Sequence, residues 1–302
     1  MPARGSSKLT ARFFYREATF EMQDLPPAVT HATAVDPAAE YRRPRGRNLR
    51  ERLPPAVGFM ACALLWELAR ILGVLPGSAT ASVPEILRVL FSGLMNGELV
   101  DPLLASIQAT AGGFLWAVVI GLPLGLLIGV SRWVDAVTRQ VVEFLRPIPS
   151  VSLIPVGIVV FGLGMGMQYF LVTFACVWPV VINARYGARN VDPLLLDAAR
   201  SMGCSRRELL QRVVLPSSLP AVVTGLRLSA IIAVIVAVAT QMVSGSPGLG
   251  RYIVRAQNDG AVPETYAGVL LISLFGWLIS VVGIRLERRF VTARTNTVGE
   301  MS

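Results

Sequence analysis

Asp192-Pro-Leu-Leu-Leu-Asp-Ala-Ala-Arg-Ser-Met-Gly203-Cys-Ser-Arg-Arg-Glu-Leu-Leu-Gln-Arg-Val-Val-Leu-Pro216 is polar, basic and helix-prone, yet apolar runs long enough to cross a bilayer flank it on both sides. Asp192 has the side chain of an N-cap, and Pro193 stands at the first helical position, where its missing N–H costs nothing. Gly203 supplies the left-handed residue that closes such a helix. Two residues on, Ser205-Arg-Arg-Glu208 has the spacing of a capping box and starts a second helix, which Pro216 is expected to limit. The stretch predicts a helix–turn–helix elbow of about 25 residues, held at a membrane surface by the spans on either side.

Composition agrees with a membrane protein. Of 302 residues, 53% are hydrophobic and only 16% are charged, too few to cover a soluble domain of that size. The net charge of +9 raises nucleic acid as a partner, but the basic residues concentrate in tails and loops, and membrane topology explains that placement better. Lys8 is the only lysine, so the chain has no Gly-Lys-Ser/Thr phosphate loop and is not itself a P-loop ATPase. The single histidine, His31, lies in the N-terminal tail, which leaves no material for a Ser-His-Asp triad or a multi-histidine metal site. Cys62, Cys176 and Cys204 are odd in number, two of them within apolar runs, and read as unpaired thiols. Neither an enzyme nor a cofactor or metal site within this chain is expected.

Taken in order, residues 1–54 form an Arg- and Pro-rich cytoplasmic tail, interrupted by Pro26-Pro27, Pro37 and Pro44 and read as disordered. Within it, residues 9–22 carry Phe13, Phe14, Tyr15 and Phe20, and could instead rest on a membrane surface. Arg42, Arg43, Arg45, Arg47, Arg50 and Arg52 precede the first span as an anchor against anionic headgroups. A six-span region follows over 55–290, then a C-terminal cytoplasmic tail over 291–302. The first span, 55–74, holds Glu67 three residues from Arg70, a spacing for a local ion pair. An external connection over 75–102 contains a helix from Val83 to Met95, capped by Ser82 and ended by Gly97. The second span, 103–130, carries Gly112-Gly113 and Gly121, Gly125 and Gly129, small residues that let helices approach closely in lipid.

Arg132 and Arg139 mark a short turn before a third span that contains Pro147, Pro149 and Pro155. Those prolines fit either a simple kink or a helix broken beside a translocation route, which makes Pro147 and Pro149 path candidates. The fourth span, 168–183, leads into the elbow. The fifth, 221–243, contains Gln241, which suits either an interhelical hydrogen bond or a solute contact. An external segment with a short helix precedes the last span, 265–284. Inside segments of this topology hold 23 Arg or Lys and outside connections three, Arg88, Arg251 and Arg255. That bias places both termini and the elbow in the cytoplasm.

The elbow also carries a resemblance. Asp197-Ala198-Ala199, three residues, Gly203, nine residues, then Val213-Val-Leu215-Pro216 resembles the Glu-Ala-Ala loop of ABC importer permeases, with Asp197 for the Glu and Val213 for an Ile. Ser131-Arg-Trp133, Leu145-Arg-Pro-Ile-Pro149, Trp178-Pro179, Gly225-Leu-Arg227 and Gly248-Leu-Gly250 extend the likeness to the nitrate, sulfonate and taurine branch, which also includes permeases for thiamine-precursor pyrimidines. The resemblance implies the all-helical type I importer fold. It implies a permease homodimer in the bacterial inner membrane, cytoplasmic ABC ATPase subunits that bind ATP and Mg, and an external solute-binding protein. It makes Asp197, Ala198, Ala199, Gly203, Val213, Leu215 and Pro216 the ATPase-coupling residues. Val234 and Gln241 stand where sulfonate and taurine members are similar to one another in having Trp and Glu, so no solute is carried across. The rival reading is an ion-coupled secondary transporter, which would need ionisable residues within the membrane.

Overall fold

The computed structural model describes residues 55–77 and 79–299, and side chains over 57–77 and 79–288. The chain divides into two units, 1–60 and 61–302, and the first is described only at 55–60, where helix α1 begins. The expectations for the tail over 1–54 lie outside the described residues.

The described residues are all helical, without strands. They form α1 (Pro55–Ile71), α2 (Val83–Met95), α3 (Val100–Val130), α4 (Arg132–Leu145), α5 (Ile154–Phe161) and α6 (Met165–Arg189). After these come α7 (Pro193–Ser201), α8 (Arg206–Glu208), α9 (Leu215–Ser244), α10 (Leu249–Asn258) and α11 (Val262–Gly299). Four helical stretches among them are long and apolar enough to cross a membrane: Val100–Val130, Met165–Arg189, Arg206–Ser244 and Val262–Arg288. Helix α1, with 17 residues, sits at the lower limit of a spanning helix.

The third expected span takes the broken of the two forms its prolines allowed, and the segment before it differs from the sequence reading. The chain makes no short turn at Arg132 and Arg139; it continues as the 14-residue helix α4, capped by the Ser131 hydroxyl, which accepts from the Val134 N–H at 3.4 Å. The Arg-Pro-Ile-Pro stretch then breaks the path, and the 3-10 turn Ser150–Leu153 leads into α5 at 85° to α4. Prolines at 147 and 149 remove two N–H donors within three residues, and the chain turns extended at Pro149 (φ −63°, ψ 120°), so one straight span cannot form. Six spans are therefore reached only if this bent pair counts as one and α1 as another.

Packing follows the small residues. Gly113, Gly121, Gly125 and Gly129 on α3 face Val172, Val180, Ala184 and Ala188 on α6, so the two helices run parallel with almost no space between them. Helix α9 runs antiparallel to α6: Gly187 meets Ser218 and Ala221, and Gly225 meets Pro179 and Asn183. The Ser229 hydroxyl donates to the Cys176 carbonyl at 2.8 Å along the same seam. Ala109, Ala117, Met167, Leu171, Val172, Ala233 and Ala237 fill the shared core. Helix α11 lies antiparallel on α9, where Glu287 accepts from Arg227 at 2.7 Å and from Thr224 at 2.9 Å. Large apolar side chains such as Trp116, Leu127 and Trp277 remain exposed on the outer surfaces, as suits a chain solvated by lipid.

Candidate functional site: the elbow and the two ends of the bundle

The elbow takes the shape its caps dictate. The Asp192 carboxylate accepts from the Leu194 N–H at 2.9 Å and starts α7, with Pro193 in its first turn. Gly203 closes that helix at φ +80°, and the Cys204 N–H donates back to the Ala199 carbonyl at 3.1 Å. Ser205 and Glu208 then form both halves of the capping box, at 3.3 Å and 3.0 Å.

The second helix does not stop at Pro216. Six residues, Leu209–Val214, adopt π-helical geometry and pass directly into α9, giving one continuous helical rod, Arg206–Ser244. A π turn is wider than an α turn, which leaves room where a proline ring meets the carbonyl of the preceding turn. Ala188, Val191 and Val214 are buried together beneath the elbow, with Leu126, Leu196, Leu210 and Val213 packed around them. This small core fixes the elbow to the ends of α3, α6 and α9.

The structure sorts the expected coupling residues by face. Ala199 points into the protein, 4% exposed. Asp197 and Ala198 are exposed, and the Asp197 carboxylate accepts from Arg200 at 3.0 Å. Gly203 has open space where a Cβ would lie. Val213 and Leu215 are half-buried beside the root of α9. Sequence reasoning missed the apolar part of this surface: Leu194 and Met202 are 74% and 76% exposed, and Leu195 is exposed beside them. Their presence along and just past an amphipathic nine-residue helix, between charged residues, was the available signal.

A clamp near the elbow was missed as well. Asp135 on α4 lies between two arginines of α6: Arg185 at 2.5 Å, and Arg189, which donates to its other oxygen. Asp135 is 7% exposed, so α4 is tied to the last turns of α6, just before the elbow begins. The sequence spacing of 50 and 54 residues gave no hint of this contact.

At the opposite end of the bundle, Gln241 is completely buried. Its carbonyl oxygen accepts from the Ser106 hydroxyl at 2.9 Å and from the Gly250 N–H at 3.2 Å, and its amide donates to Gln168 at 3.0 Å. The Leu249 N–H donates to Ser106 at 2.8 Å, and Gln168 donates to the Pro247 carbonyl at 3.4 Å. Gln241 thus ties α3, α6, α9 and the start of α10 into one polar hub. Gly248 and Gly250 pack directly on its side chain, leaving no room for a larger residue. Pro147 and Pro149 are exposed at the bend between α4 and α5 and take no part in the hydrogen bonds of this hub.

Of the carboxylates that an ion-coupled transporter could use, Glu67 and Glu143 by the sequence reading, Glu143 lies 3.4 Å from Arg139 on the surface of α4. Glu67 pairs with Arg70 at 2.6 Å and also accepts from the Val83 N–H at 3.2 Å, and Glu287 is held by Arg227 and Thr224.

Residues 121–295 match the family described as the binding-protein-dependent transport system inner membrane component. A putative ABC transporter permease protein of Methanocaldococcus jannaschii is 33% identical over 222 residues, covering 72% of this chain and 82% of that protein. The taurine transport system permease protein of Escherichia coli is 30% identical over 200 residues, covering 66% and 72%. Among solved structures, an inward-facing form of the MetNI methionine ABC transporter superposes with a TM-score of 0.59 at 23% identity, over 65% of this chain and 97% of that one, a likeness of fold. The match spans both the α3–α6 packing seam from Gly121 onward and the elbow, and the chain belongs to the inner-membrane components of binding-protein-dependent transport systems, the multi-pass permease subunits of ABC importers.

Proposed function

We propose that two copies of this chain form the transmembrane path of an importer for a small solute of the nitrate, sulfonate, taurine or thiamine-precursor kind, in the inner membrane of a bacterium. Both termini and the elbow lie in the cytoplasm, on the side to which the arginine bias assigns them. ATP and Mg belong to ATPase subunits docked on the elbow, and no cofactor resides in this chain. A solute-binding protein delivers its cargo to the opposite, external face, and lipid solvates the outer helices.

The observation that carries this reading is the elbow's exposed face. Leu194, Leu195, Ala198, Met202 and the open space at Gly203 form an apolar surface of low relief outside the membrane-spanning helices, mounted rigidly by the capping box and the buried Ala188–Val191–Val214 core. Such a surface fits a groove on a protein partner. ATP binding draws the two ATPase subunits together, and each elbow moves its rod, Arg206–Ser244, as a lever between inward and outward access. Each ligand drives the switch only by interacting differently with the two states. The pairing of Glu67 and Glu287 with arginines also supports an ATP-driven mechanism over an ion-coupled one, since neither is a free carboxylate for proton or sodium exchange.

The test is co-purification of this chain with the ATPase subunit, comparing wild type with Gly203→Asp. Aspartate tolerates the left-handed conformation at a cost of about 1 kcal/mol, so the fold survives, but its carboxylate projects into the docking face. Loss of the ATPase from a correctly inserted mutant is the expected result. An undiminished complex with normal uptake would refute the docking role of the elbow.

A further inference from the structure

Helix α2 presents three sides where an ordinary surface helix presents two. At about 100° per residue, Ile86, Val89, Leu90, Gly93 and Leu94 share one side, which packs against Leu99, Leu249, Ala267 and Leu271. Glu85, Arg88, Ser92 and the C-cap Asn96 share a second side and are exposed. Leu87, Phe91 and Met95, at i, i+4 and i+8, form a third side between these two and are exposed as well, Phe91 by 68% and Met95 by 86%.

The neighbours of α2 fix its level in the bundle. Leu90 meets Ala267 and Leu271, within the first three turns or so of the spanning helix α11, so α2 lies beside the outer end of that helix and not beyond it. Residues 96–99 alone join α2 to the spanning helix α3, and Leu99 is buried in the same cluster. The segment leading into α2 is held by two aromatic tips. The Trp66 indole N–H donates to the Ala81 carbonyl at 3.2 Å, and the Tyr266 hydroxyl donates to the Ala79 carbonyl at 3.1 Å. Their rings meet edge to face with centroids 5.5 Å apart. Such aromatic residues, apolar at one end and polar at the other, concentrate at the headgroup level of a bilayer.

We infer that α2 is an in-plane membrane-surface helix: Leu87, Phe91 and Met95 enter the phospholipid leaflet at the end where α11 begins, and Arg88 meets lipid phosphate. Among the described residues Arg88 has no ion pair, and it borders the apolar stripe, so its stem lies along hydrocarbon while its guanidinium reaches the headgroups. Glu85, Ser92 and Asn96 face water. A protein partner is a poorer occupant, because a stripe one side chain wide offers far less than the ~800 Å² per partner that a stable protein interface buries. Lipid needs no matching shape. The inference requires only that α11 spans the membrane, and it is independent of the ATPase.

The experiment places nitroxide labels along α2 in the full chain, held in phosphatidylglycerol nanodiscs. Cys62→Ala and Cys204→Ser remove the accessible thiols, and buried Cys176 stays. Leu87→Cys, Phe91→Cys, Met95→Cys, Ser92→Cys and Asn96→Cys are labelled one at a time, each checked for wild-type elution in size exclusion. Collisions with dissolved oxygen are expected to exceed those with a water-soluble nickel chelate at 87, 91 and 95, and the order to reverse at 92 and 96. Nickel collisions equally frequent at all five positions would overturn the proposal, since the stripe would then face water. Shielding of 87, 91 and 95 from both reagents would overturn it too, by assigning the stripe to a protein, a second copy of this chain included. The phosphate contact is read from the label at 91 in phosphatidylglycerol against phosphate-free galactolipid nanodiscs. The label is expected to sit deeper in phosphatidylglycerol, and Arg88→Gln to abolish the difference; equal depth in both lipids overturns the role of Arg88.

Discussion

Replacing Gly125 by Ala places one methyl group against the backbone of α6 in the α3–α6 seam. The added Cβ would lie 2.6 Å from the Val181 carbonyl oxygen and 2.8 Å from Ala184 Cβ. Ordinary carbon–oxygen contact is about 3.4 Å, so the helices must separate locally by roughly 0.8 Å, and a gap of that size forfeits a quarter to a half of each dispersion contact it opens. If about 40 atom pairs at ~0.15 kcal/mol each are affected, the loss is about 1.5–3 kcal/mol. Alanine returns about 0.5–1 kcal/mol through its better helix propensity, leaving a net loss of about 1–2 kcal/mol. For a chain of this size that lowers the midpoint of thermal unfolding by about 3–6 °C. Gly276→Ala is the internal reference: the nearest atom to its new Cβ is Val234 Cγ1 at 3.9 Å, an ordinary contact. That variant is expected to match or slightly exceed wild type. Both are measured in the same detergent by thermal unfolding followed by size exclusion. Equal stability of the two variants would refute the claim that close backbone approach, rather than glycine content, holds α3 to α6.

Gln241→Leu removes the centre of the polar hub and leaves the Gly250 N–H and the Gln168 carbonyl oxygen buried without their partner, which is expected to destabilise the protein by about 2–4 kcal/mol; unchanged thermal unfolding would contradict the hub's structural role. Glu287→Leu strands Arg227 beside the apolar groove formed by α3, α9 and α11, at a cost of about 1–3 kcal/mol. Adding Arg227→Leu should recover most of that loss, and a double-mutant cycle that is strictly additive would show that the pair does not interact.

Much of this protein was legible in one dimension because its governing signals are local. Capping residues at Asp192 and Ser205, the left-handed glycine at 203, and the Ser82 cap of α2 act within four residues of themselves, and the structure reproduces each. The four-residue spacing of Gly121, Gly125 and Gly129 likewise identifies a packing face, since helical periodicity alone aligns them. The prolines of the third span left a kink and a broken helix open because length and hydropathy do not register direction, and the 85° between α4 and α5 decides for the break; the short turn expected at Arg132 and Arg139 was misjudged, since those residues lie in the helix α4. Pro216 was misjudged for a related reason, because whether a proline ends a helix depends on the width of the turn before it.

The sequence by itself determined a helical membrane protein, its capped elbow and, through the elbow's residues, its transport class. Only the tertiary structure decided what meets what: Asp135 with Arg185 and Arg189, Gln241 with Ser106 and Gln168, and Glu287 with Arg227. These partners are separated by 50 to 135 residues in the chain. Caps and periodicity are short-range consequences of backbone geometry. Pairing across a bundle depends on the order, tilt and closeness of whole helices, which no local pattern encodes.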